Sequence, residues 1–189
     1  MAEPSPGVGT GSVVGNSGPV EFDRDLDHHR RILRMAGDAL GMVRRQDHDG
    51  LLAELADFLE HSSDGQADLR TLIGVLVQEC AAMVGTFTGP SGVPRPAEPV
   101  RVEVLDRQSR PVPIDTLEPP VRTMIRIMLA AGYGDPMAAE EQLDLALREA
   151  GARELIHLFS LGLTWTVHLA QECARRGLAV VEWARPALD

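Results

Sequence analysis

The chain has 189 residues, 44% of them hydrophobic but only 4% aromatic, and a formal charge of −10. That length fits one domain that buries its own core without metal or disulfide support, and a core short of aromatics suits packed helices better than a β-sandwich. The acidic balance argues against a nucleic-acid backbone as the main partner; all 18 basic residues are arginine, so no lysine is present for a Schiff base or a phosphate-binding loop.

The bias towards Arg, Ala, Gly and Pro points to a GC-rich bacterial source. Residues 1–20 are rich in Gly, Ser and Pro and show no apolar period, which predicts a disordered tail. GVGTGSVVG within it misses the G-x-G-x-x-G spacing at Ser12 and follows no strand, so it is not read as a nucleotide loop. The same region carries Glu3 and no arginine before Arg24, unlike the charged start of a signal peptide. No stretch reaches the ~18 uninterrupted apolar residues of a membrane span. A cytoplasmic protein without membrane contact is expected.

Residues 21–88 predict a three-helix segment. Leu26, Leu33, Leu40 and Val43 recur at helical steps, although Gly37 and Gly41 weaken that helix unless a close neighbour uses the space. Asp47 or Asp49 caps a second helix carrying Leu51, Leu55 and Phe58. A third, roughly 66–87, is apolar almost all round and should be central to a bundle. TGPSGVPRPAEP then breaks any regular structure, and residues 89–99 read as a linker.

Residues 100–189 predict a short hairpin followed by three helices, packed with 21–88 as one domain. Val100, Val102 and Val104 alternate, and residues 112–115 return across RQSR, although Pro111 and Pro113 confine that second strand to an edge. Helices resume at Pro119–Pro120, stop near Gly132 or Gly134, restart at Asp135–Pro136, and begin again after Gly151 to run to Arg175–Arg176. LAVVEW (178–183) is a candidate final strand. The expected architecture is mainly α, about six bundled helices with the hairpin between their halves.

Candidate chemistry concentrates in the last helix. Glu154, His157, Thr164, His168, Gln171, Glu172 and Arg175 share one face, and Cys173 lies opposite. His157 and His168 are ~16 Å apart along the axis, too far for one metal. Glu154-Leu-Ile-His157 matches the Glu-x-x-His step of carboxylate-bridged metal bundles, and a mixed site would need Asp25, His28 and His29 of the first helix to face it. A hydrogen-bonded polar stripe is the preferred reading, with no cofactor assigned. Arg30, Arg31, Arg34, Arg44 and Arg45 give the first helix a basic look, interleaved with acids, and are candidates for contact with an acidic partner. Cys80 and Cys173 read as buried, reduced thiols. H-E-x-x-H, C-x-x-C, G-x-S-x-G and Walker patterns are all missing from the sequence.

These features favour a non-catalytic protein acting through protein–protein contact, as a homodimer or with another chain. The alternative is a helical small-molecule-binding protein or metal-dependent enzyme with a pocket near His157.

Overall fold

The computed structural model describes residues 19–87, 104–105, 108–133 and 135–188. The predicted tail, up to residue 18, and the linker 89–99 lie outside them; Pro19 and Val20 already belong to the first helix. Among the described residues the chain is mainly helical: α1 (Pro19–Arg44), α2 (His48–Glu60), α3 (Gly65–Phe87), α4 (Pro119–Gly132), α5 (Pro136–Glu149) and α6 (Ala152–Arg175). Two 3-10 helices, Ile114–Thr116 and Glu182–Ala187, complete it.

Local chemistry sets the helix starts. The Asp47 carboxylate accepts from the Gly50 N–H at 2.9 Å, and the Asp135 carboxylate from the Ala138 N–H at 3.0 Å, each satisfying a donor that the first turn leaves unpaired. Pro136 then occupies a position where its missing N–H costs nothing.

The hairpin is a correction. Among the described residues there is one antiparallel bridge and no ladder, Leu105 to Pro111, with the Val112 N–H donating to the Val104 carbonyl at 2.8 Å. Pro111 and Pro113 remove the donors that would extend it, and the chain turns at Ile114 into a 3-10 helix. Residues 100–103 of the expected first strand lie outside the described residues. The final strand is also corrected: among the described residues Leu178–Val181 has no strand partner, and Glu182–Ala187 is the 3-10 helix, with Pro186 inside it.

One apolar cluster draws on all six helices and the C-terminal 3-10 helix. α3 is central and packs on α1, α2, α4 and most extensively on α6; α5 packs chiefly on α4. Ile73, Leu72 and Leu76 of α3 and Leu40 of α1 are fully enclosed, each contributing about 1.5–3 kcal/mol of apolar burial. Two close approaches explain glycines in helix interiors. A Cβ on Gly37 would stand 2.8 Å from the Trp183 carbonyl oxygen, so the C-terminal 3-10 helix lies directly on α1 there. A Cβ on Gly162 would stand 3.2 Å from Leu76 Cβ, which is how α6 comes so near α3.

Candidate functional site

The basic face of α1 is tied inward at one point. The Arg31 guanidinium pairs with the Asp68 carboxylate of α3, donates to the His61 carbonyl at 3.1 Å, and lies 4.9 Å over the Phe58 ring. His28 Nε2 stands 3.5 Å from the other Asp68 oxygen. Asp68 is buried, so the Arg31 guanidinium compensates a carboxylate largely shielded from water. Arg30 pairs with Asp27 at 3.2 Å on the surface, while Arg34, Arg44 and Arg45 are exposed.

The residues proposed as metal ligands do not converge. The Glu154 carboxylate accepts from the Gly151 N–H at 3.1 Å and so caps α6. His157 Nδ1 lies 3.9 Å from Glu118 Oε2, a contact made at the surface with a residue preceding α4. His28 is engaged by Asp68, His29 is exposed, and the Asp25 side chain lies outside the described residues. Among the described residues no group of three or more His, Cys, Asp and Glu side chains is placed to hold a metal ion.

The polar stripe of α6 faces outward and its opposite face is enclosed, with Leu155, Phe159, Gly162, Leu163, Ala170 and Cys173 buried. Cys80 and Cys173 are both free and buried. Cys80 Sγ sits 3.2 Å from Thr166 Oγ1, and Thr166 donates to the Gly162 carbonyl at 2.7 Å. Burial pushes the Cys80 thiol up to about 12, against a smaller opposing effect of the Thr166 hydrogen bond. A reactive cysteine has the reverse character, so this pair is a packing element.

An opening with an apolar floor lies elsewhere. α3 is the one described helix long and apolar enough to cross a membrane by length and composition, yet it lies at the centre of the bundle with 39% of its most apolar 18-residue window buried. Its described neighbours leave a stretch of small residues partly open: Ala81 and Gly85 are half-buried and Ala82 is exposed. That stretch lines a groove of about 510 Å³ between α3, α4 and α5. Val77, Ala81 and Gly85 line it from α3, Ile127 from α4, and Ala139 and Leu143 from α5. Gln78, Thr86 and Glu140 stand at its exposed rim. Small residues make the space: a Cβ on Gly85 would meet nothing within 4 Å.

Glu140 also lines an adjoining depression over α5, with Asp135, Glu141, Asp144 and the strongly exposed Met137. A smaller hollow of about 250 Å³ lies between α4, α5 and α6, where Pro119, Pro120, Ala146, Ala150, Glu154 and Leu158 meet. Sequence reasoning missed Asp68 and the groove. The available signal for the groove was the run of Ala81, Ala82 and Gly85 in a helix apolar on every side.

Compared with family models, curated proteins and solved structures, the chain matches none.

Proposed function

We propose that this is a non-catalytic, cytoplasmic interaction protein of a GC-rich bacterium, and that it works by holding another polypeptide, a partner protein or a second copy, in the groove between α3, α4 and α5. One observation carries the reading: the described elements leave the Ala81, Ala82 and Gly85 stretch of the central helix only partly covered. Val77, Ile127, Ala139 and Leu143 are already buried at its floor, while Ala81, Ala82 and Gly85 leave room above them. An apolar trough with a polar rim is the usual shape of a surface that packs against a partner.

Light scattering of the purified chain and pull-down from the native host test this. A dimer or a stoichiometric partner, lost when Gly85→Leu fills the trough, supports it. A strictly monomeric protein with no partner overturns it.

The alternative, small-molecule or metal-dependent chemistry near His157, is favoured by the 250 Å³ hollow that Glu154 and Leu158 help to line. Its test is thermal melting of the purified protein against metabolites and divalent metals, with elemental analysis beside it. A ligand-dependent rise in Tm that Glu154→Gln abolishes would move the function to that hollow.

A further inference from the structure

Building on the interaction reading, we infer that the occupant of the α3–α4–α5 groove is a basic amphipathic helix of another protein, not a second copy of this chain. The shape of the groove comes first. Its walls are helices whose backbone amides are bonded within each helix, so no strand edge is offered for an added strand, and affinity must come from side-chain packing. A helix delivers such packing as a ridge of apolar residues at i, i+3, i+4 and i+7, which would fill the space over Ala81, Ala82 and Gly85 above the buried floor of Val77, Ile127, Ala139 and Leu143.

Charge decides between occupants. The rim residue Glu140 joins the groove to the depression over α5, where the described lining holds Asp135, Glu141 and Asp144 against one base, Arg148. Met137, 80% exposed among these acids, offers an adaptable apolar contact beside them. A partner must therefore bring an apolar ridge flanked by arginine or lysine. A two-fold contact between copies would set this acidic rim against itself, on a chain whose net charge is already −10. The same rim repels an anionic lipid surface.

Two synthetic helical peptides with the same leucine ridge test this against the full chain, one flanked by arginine and one by glutamate, read by fluorescence anisotropy at low and high salt. The arginine peptide should bind at least about tenfold more tightly at low salt and lose most of that advantage at high salt. Gly85→Leu should abolish binding of both peptides. The triple variant Glu140→Arg, Glu141→Arg, Asp144→Arg, whose sites are all exposed, should reverse the preference while its circular dichroism stays native.

Equal binding of the two peptides, binding of neither, or a preference unchanged in the triple variant overturns the inference. So does a dimer that dissociates on Gly85→Leu, which would return the groove to a second copy. If neither peptide binds but a stoichiometric partner still co-purifies, only this inference falls. If the chain is also monomeric and partnerless, the interaction reading falls with it.

Discussion

Arg31 of α1 and Asp68 of α3 form an ion pair in which the two side chains have unequal access to water: Arg31 remains 35% exposed, Asp68 only 8%. The guanidinium shares its remaining interactions between the His61 carbonyl and the Phe58 ring, so one side chain clamps α1, α2 and α3 together. The carboxylate has fewer alternatives, with the His28 imidazole at 3.5 Å as its other side-chain neighbour.

That asymmetry predicts unequal mutants. Arg31→Ala leaves a buried carboxylate short of its main partner and should cost about 2–4 kcal/mol, below the figure for a fully enclosed pair because Arg31 is partly solvated. Asp68→Asn leaves a guanidinium that can still reach water and should cost about 1–2 kcal/mol. Urea denaturation of both variants checks the order, and a reversed order would contradict the clamp.

Two glycines in helices should respond oppositely to a methyl group. Gly37→Ala drives a Cβ into the Trp183 backbone and should destabilise by about 1–3 kcal/mol. Gly85→Ala meets open space and gains helix propensity, so it should stabilise by about 0.5–1 kcal/mol. Thermal melts of the two variants make the comparison directly.

Glu79 supplies the pH dependence. Burial raises its pKa above the ordinary 4.5, so the folded state holds the proton more tightly than the unfolded chain does. Stability should fall as pH rises from 4.5 through the folded pKa, and stay lower above it. Glu79→Gln should remove that slope and raise stability at neutral pH, as measured by denaturation midpoints across the range. An unchanged slope would show that Glu79 is solvated.

Neither cysteine should react in the native state. Cys80 is buried and its thiol is pushed up to about 12, so almost no thiolate exists at neutral pH. Burial likewise raises Cys173. Iodoacetamide should label both only after denaturation, and rapid labelling of the folded protein would contradict the packing described for α3 and α6.

The helices were legible because their signals are local. Asp47 and Asp135 cap where expected, and the outward stripe of α6 follows from spacing alone. Gly37 announced a close neighbour, but not that Trp183 supplies it from the far end of the chain. The hairpin misled because alternation in sequence supplies no partner strand by itself, and the prolines that permit one bridge forbid a ladder. LAVVEW carries β-forming residues, but the segment ends in a helical turn laid against α1. Arg31 finds Asp68 across 37 residues of chain, a distance no short-range pattern encodes. The groove depends on what α4 and α5 leave uncovered, which only the assembled fold decides.

The central claim is that the groove between α3, α4 and α5 holds a polypeptide. A photo-reactive amino acid placed at Ala82, on the lining of the groove, tests it in the native host, with the same group at exposed Arg153 as control. The account predicts a discrete cross-linked polypeptide from position 82, lost on Gly85→Leu and not formed from position 153. Cross-linking from both positions alike, or from neither, would contradict it.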